Sequence, residues 1–164
     1  FISQDEVAKW EKEKGAKKVS LFDLCRDDMA EAIEDAFKFG KLVLAAASYD
    51  GDVFPPMHYF LHKLILKGYR NRKVGIIENG TWAPSAAKAM RALLAQMKDI
   101  EIVEPQVTIK SRMKSSDIPA LEALSDAIVS WFSYSLTYYL RCDIAPWLCR
   151  ILYLWIFIFF NSRR

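Results

Sequence analysis

Apolar residues recur at two different spacings along the first 128 residues of the chain. Four segments have apolar side chains three and four residues apart, the spacing that places them on one face of a helix. These predicted amphipathic helices are 29–37, 57–65, 86–97 and 118–128. Asp27 or Asp28 can cap the start of the first helix, and Gly40 follows its end as a C-cap glycine.

Short, continuous apolar runs lie between these helices, at 19–22, 42–47, 74–77, 100–103 and 107–109. Such runs are typical of parallel strands that helices cover on both faces. A charged segment at 4–14 predicts one more helix before the first strand. The strict alternation of helices and strands therefore predicts an α/β fold, with three α/β/α layers around a parallel sheet.

The loops after the strands are where this class of fold binds ligands, because binding takes place at the carboxyl ends of parallel strands. Those loops are 24–27, 48–55 and 78–84. Loop 48–55 offers a hydroxyl, an aromatic ring and Gly51 after a buried strand, which suits a flat ligand; an ordinary Asp-Gly turn is the alternative. In loop 78–84, Trp82 either stacks on a ring or covers the edge of the sheet.

Charge and composition change abruptly near Ile128. The chain has 164 residues and a formal net charge of +3. Residues 129–164 contain four arginines, one aspartate and no lysine or glutamate, so they carry the whole excess of positive charge. The first 128 residues are neutral, which does not favour nucleic-acid binding. We predict an α/β domain over 1–128 and an apolar, aromatic tail over 129–164.

Histidines and cysteines give only weak signals of chemistry. His58 and His62 have the i, i+4 spacing of a zinc-binding helix, but no third ligand stands at a matching spacing, so no metal site is predicted. Cys25 lies in loop 24–27, where a reactive thiol is conceivable and a buried structural cysteine is favoured. No motif for nucleophilic catalysis is present, so no catalytic residue is predicted.

Two segments carry a resemblance to a known family: LVLAAASYDGDVFPP at Leu42–Pro56 and KVGIIENGTWAP at Lys73–Pro84. With them, the stretch from Val19 to Ala127 resembles the carboxyl-terminal flavodoxin-like domain of flavodiiron proteins, the A-type flavoproteins. The resemblance implies an oxidoreductase module that binds FMN non-covalently and passes electrons to a diiron centre, which reduces O2 or NO. It implies a flavin with Trp82 as its stacking partner, lined on one side by Ala47, Ser48, Tyr49, Asp50 and Gly51 and on the other by Asn79, Gly80, Thr81, Trp82 and Ala83.

The same resemblance implies parts that this sequence does not show. A flavodoxin-like domain begins with a strand and a loop that holds the FMN phosphate, whereas Phe1–Val7 resembles the helix after that loop. The missing strand lies between the strands at 18–22 and 41–47, so we expect unpaired backbone groups there and weakened FMN binding unless another segment fills the gap. Two histidines cannot supply a diiron site, so a diiron domain or a redox donor protein is the expected partner.

The tail allows several interpretations. Residues 144–160 are apolar enough for a carboxyl-terminal membrane anchor, although Arg150 lies inside the segment. The abrupt change in composition also fits a frameshifted end. A third interpretation is that the tail packs on the domain or pairs subunits, and one variant places Ile151–Phe160 in the vacant strand position. An exposed patch of this size favours self-association.

The resemblance and the composition lead to two hypotheses of different class. The first is a truncated, cytoplasmic FMN-binding electron-transfer module, with the cytoplasm inferred from the resemblance and the few cysteines. The alternative is a non-catalytic fragment that retains only the fold and binds a membrane, through its tail, or a partner protein.

Overall fold

The computed structural model describes residues 18–129 and the backbone of 136–140 and 157–161. The predicted helix at 4–14 lies outside these residues. The elements are β1 (Lys18–Phe22), α1 (Met29–Lys38), β2 (Lys41–Tyr49), β3 (Asp52–Val53), α2 (Pro55–Leu66), β4 (Arg70–Asn79), α3 (Ala86–Leu94), β5 (Lys98–Ile109), a short 3-10 turn (Ser115–Asp117), α4 (Ile118–Val129), β6 (Leu136–Leu140) and β7 (Phe157–Asn161).

The central strands form a parallel sheet with helices on both faces. Strand β2 pairs with β4 from Lys41 to Ala47, and β4 pairs with β5, both in parallel. Leu42, Leu44 and Ala46 of β2 pack into the core on the side of α1, α2 and α3. Val43 and Ala45 face the opposite side, where α4 packs. Because both faces of β2 are buried, its sequence is apolar without alternation. The predicted flavodoxin-like α/β/α fold is confirmed.

Helix α1 begins as predicted and ends differently. The Asp28 carboxylate accepts a hydrogen bond from the Ala30 amide at 2.7 Å, which caps the first turn. The prediction that Gly40 caps the other end is wrong. Phe39 ends the helix in an extended conformation (φ −110°, ψ 148°), with its amide bonded to Asp35 and its side chain fully buried. The chain leaves the helix directly into β2, so no left-handed residue is needed.

Two segments of the tail lie between β1 and β2. The strand order is β1-β6-β7-β2-β4-β5, with β3 paired to β2 alone. Strand β6 runs parallel to β1. Strand β7 runs antiparallel to β6 and to β2, where it pairs with residues from Lys41 to Val43. The gap that the sequence predicts is thus occupied by two strands from the other end of the chain.

These strands bear on two predictions for the tail. Phe157–Phe160, the end of the segment proposed for the vacant strand position, does lie beside β2 as part of β7. The same residues end the proposed membrane segment, and there they form a strand. Within the described residues, none of the helices has the length and apolar character needed to cross a membrane. Residues 144–156 lie outside the described part.

Candidate functional site

The loop after β2 is a tight turn at the carboxyl edge of the sheet. Strands β2 and β3 pair antiparallel, with Ser48 opposite Val53 and Tyr49 opposite Asp52. The two residues between them have positive φ angles, 49° at Asp50 and 77° at Gly51. Positive φ at both central residues is the geometry of a type I′ hairpin, and Asp-Gly is a preferred sequence for it. The turn interpretation of this loop therefore holds, and space remains open beside Gly51, where an added Cβ would meet nothing within 4 Å.

Ser48 joins the two predicted loops of the site. Its Oγ accepts hydrogen bonds from the backbone amides of Ser85 at 2.7 Å and of Ala86 at 3.1 Å. These amides belong to the start of α3, which directly follows the second loop. Ser48 is predicted as a flavin contact, and in this structure its oxygen caps a helix from a neighbouring strand.

Glu78 is a buried carboxylate that the sequence analysis does not single out. Only 5% of the residue is exposed. One carboxylate oxygen accepts from the Ala87 amide at 2.9 Å. The other accepts from Thr108 Oγ1 at 2.8 Å and from Gln106 Nε2 at 3.2 Å. The one signal in the sequence is an acidic residue at the end of the apolar run 74–77, where a charge needs partners if it is buried.

The base of the second loop is held by short contacts. Asn79 is 6% exposed, and its Nδ2 donates to the Ser111 carbonyl at 2.7 Å. The Gly80 amide donates to the Ile109 carbonyl at 3.2 Å. A Cβ at Gly80 would lie 2.8 Å from Pro84 Cα and 3.1 Å from Ser48 Oγ, so this position has room only for glycine.

The tip of the same loop is open to solvent. Trp82 is 95% exposed, while its neighbours Thr81 and Ala83 are also exposed. Tyr49, 42% exposed on the first loop, contacts the Phe54 ring edge-on at a centroid distance of 5.6 Å. The suggestion that Trp82 covers the edge of the sheet is therefore wrong, because its ring is almost free of protein contact. An exposed indole on a buried, hydrogen-bonded base is a surface on which a flat ligand can stack.

In the third loop, 24–27, polar groups bond to the preceding residue, Asp23. The buried Asp23 carboxylate accepts from the Cys25 amide at 2.8 Å and lies 3.8 Å from Arg26 Nε. The prediction of a buried Cys25 is wrong, because the residue is exposed and disulfide-bonded. Its partner lies outside the described residues.

Metal-ligating side chains do not converge in the described part of the chain. No group of three or more histidine, cysteine, aspartate or glutamate residues there could hold a metal ion. His58 and His62 both lie on the exposed side of α2.

The predicted cofactor residues thus divide into two groups. Ala47, Ser48, Asn79 and Gly80 are held in the protein by burial or by hydrogen bonds. The exposed group consists of Tyr49, Asp50, Gly51, Thr81, Trp82 and Ala83. The first group builds the base of both loops, and the second faces solvent at the carboxyl edge. Contact of any of them with a flavin stays a prediction.

This arrangement defines a flavodoxin-like domain whose carboxyl edge has two adjoining loops. No family model matches the chain, and no curated protein matches it. Among solved structures, it is similar to rubredoxin oxygen:oxidoreductase from the anaerobe Desulfovibrio gigas, a flavodiiron protein, with a TM-score of 0.52 and 15% sequence identity. The similarity covers 56% of this chain and 22% of that protein. At such identity it shows a flavodoxin-like fold and no more.

Proposed function

We propose that this chain is an FMN-binding electron-transfer module of the flavodiiron type. The observation that carries the proposal is Trp82, a large aromatic side chain that is 95% exposed at the carboxyl edge of the sheet. Burying such a ring against a flat partner is favourable, and the carboxyl edge is where this class of fold binds ligands. The likeness in fold to rubredoxin oxygen:oxidoreductase supports the same function.

The residues present fit the ring system of a flavin. Trp82 would stack on the ring, and Tyr49 supplies a second exposed aromatic on the neighbouring loop. The open side of Gly51 admits a close approach of the ring to the backbone. Bound FMN would accept and release electrons, while the protein orients its ring and excludes water from one face.

A complete electron path needs a partner. We propose that a diiron domain or a redox donor protein approaches the same edge, because the exposed ends of both loops lie there. The described residues contain no metal-binding cluster of their own, so the metal chemistry is assigned to that partner.

Titration of the full chain with FMN tests the proposal. We expect flavin fluorescence to be quenched at micromolar FMN, because an indole stacked on the ring quenches its emission. Trp82→Ala should weaken binding about tenfold or more, since an aromatic stack contributes about 0.5–1.5 kcal/mol beyond the area it buries. The control is Tyr59→Ala, which removes a half-exposed ring from α2, outside both loops.

Two results would contradict the proposal. The absence of quenching up to 100-fold molar excess would favour the alternative of a non-catalytic fragment that retains only the fold. Equal binding by the Trp82→Ala variant and the wild type would remove Trp82 from the site, and with it the observation on which the proposal depends.

A further inference from the structure

Ser48 and Glu78 together occupy the amino-terminal end of α3. The first amides of a helix lack partners within the helix, and they commonly bind an anion. Here Ser48 Oγ accepts from Ser85 and Ala86, and a Glu78 oxygen accepts from Ala87. We propose that Ser48 and Glu78 are positioning residues with two roles. They hold the Trp82 loop (80–85, between β4 and α3) in place for its ligand, and they close this helix end to the ligand's anionic groups. The first half of the proposal rests on the proposed function.

Glu78 joins the two ends of the Trp82 loop. Glu78 is the last residue but one of β4, and Ala87 is the second residue of α3, so a single hydrogen bond at 2.9 Å closes the segment between them. The second oxygen ties the same carboxylate to Gln106 and Thr108 of β5. The exposed tip with Trp82 therefore stands on a base that is anchored to two strands and one helix.

The carboxylate suits this position better than an amide does. Both oxygens of Glu78 face hydrogen-bond donors, which are the Ala87 amide on one side and the Gln106 and Thr108 side chains on the other. Its negative charge also lies at the positive end of the α3 dipole. In a Glu78→Gln variant, the NH2 group would face a donor in either orientation, unless Gln106 turned its amide and gave up its bond from Arg91 Nε.

Ser48 adds the link to the first loop. Ser48 directly precedes Tyr49, and its hydroxyl oxygen accepts hydrogen bonds from the Ser85 and Ala86 amides. The two loops therefore cannot separate while these bonds persist. Gly80 packs beneath it, with an ideal Cβ position only 3.1 Å from Ser48 Oγ. The relative position of the two loops is thus fixed before a ligand binds, which lowers the ordering cost of binding.

Hydrogen exchange of the full chain, read by mass spectrometry, tests the positioning role without a ligand. In Ser48→Ala and in Glu78→Gln we expect exchange at residues 85–87 to rise about tenfold, the effect of one lost hydrogen bond. Exchange at 74–77 of β4 should change less than twofold. Ser48→Thr keeps a hydroxyl and should restore wild-type exchange. Ser85→Ala is the matched control, because that hydroxyl makes only a 3.5 Å contact with the Asp52 carbonyl.

An FMN titration of the same variants tests the effect on ligand binding. We expect Ser48→Ala and Glu78→Gln to weaken FMN binding about tenfold, and Ser48→Thr and Ser85→Ala to bind as the wild type does. Inorganic phosphate should not protect residues 85–87 from exchange in the wild type, because Ser48 and Glu78 already accept from these amides.

The outcomes separate the two proposals. Unchanged exchange at 85–87 in both variants would overturn the positioning role, and so would an equal rise throughout β4, which indicates general destabilisation. Phosphate protection in the wild type would overturn the closed helix end. If the wild type does not bind FMN, the proposed function fails, while the exchange results still decide whether these residues hold the loop.

Discussion

The two halves of the sheet are built in different ways. On one side, β2, β4 and β5 are parallel. Helices α2 and α3, which connect them, pack on one face, and α4, which follows β5, packs on the other. On the other side, β1 reaches β2 only through β6 and β7, which come from the far end of the chain. The pairing of β2 with β4 extends from Lys41 to Ala47, whereas its pairing with β7 ends at Val43.

The difference shows which part of the sheet depends on local interactions and which part depends on non-local ones. Each strand of the first half is followed by a helix that packs on it, so a short stretch of sequence specifies both. In the second half, β6 and β7 are distant in sequence from β1 and β2, between which they lie. The backbone groups of β2, which is buried from Lys41 to Ala47, need partners on this side as well. Hydrogen bonds of the backbone are generic, so a strand from elsewhere in the chain can supply them.

The largest expected effect comes from the core of the first half. Leu64 of α2 is fully buried, so Leu64→Ala should lower the free energy of unfolding by about 2–5 kcal/mol through lost burial and the cavity left behind. Leu66→Ala on the same helix is the control, because Leu66 is 65% exposed. Urea denaturation measures both. Similar losses for the two variants would mean that this half is not the tightly packed one.

A proline in β7 tests the second half. Ile158 lies between Val43 of β2 and Tyr139 of β6, so Ile158→Pro removes a donor from an interior strand. We expect a loss of about 1–3 kcal/mol, together with faster exchange at residues 41–43. Ser162→Pro, one residue beyond β7, is the control. If Ile158→Pro is as stable as the wild type, β7 does not complete the sheet.

Gly80→Ala should destabilise the protein less than Leu64→Ala and Ile158→Pro do, and it should change hydrogen exchange only near the site. The new Cβ would lie 2.8 Å from Pro84 Cα, a backbone atom, so the loop must shift. We expect a loss of about 1–2 kcal/mol by thermal denaturation and increased exchange at residues 79–87. Thr81→Ala, on the exposed part of the same loop, should leave both unchanged. A wild-type exchange pattern in Gly80→Ala would show that the loop base is not tightly packed.

The smallest effect is electrostatic and lies on the surface between α3 and β5. A hydrogen bond from Arg91 holds the pKa of the Glu104 carboxyl below its ordinary value, with help from the Gln106 amide. Because the folded pKa is the lower one, this contribution to stability is present above the unfolded pKa and is lost as the pH falls through the folded value. By NMR titration, Arg91→Gln should raise the Glu104 pKa, and Lys88→Gln should not.

Much of the first half could be predicted from the sequence, and less of the site. The hydrophobic pattern predicts the bounds of α2, β2 and α4 to within two residues. The two helices bury apolar stripes with helical spacing, and β2 buries a continuous apolar run. The loops that carry Tyr49 and Trp82 are predicted too, since they follow buried strands. The roles of Ser48 and Glu78 could not be predicted, because their partners at 85–87 and at 106–108 are distant in sequence.

The sequence by itself determined the helices, the parallel strands and the two loops at the carboxyl edge, because each depends on residues close together in the chain. The tertiary structure alone decided which strands lie beside β2 and which side chains hold the Trp82 loop. The physical reason is the same for both. A buried hydrogen-bonding group must be paired, but the need for a partner does not specify where along the chain that partner lies.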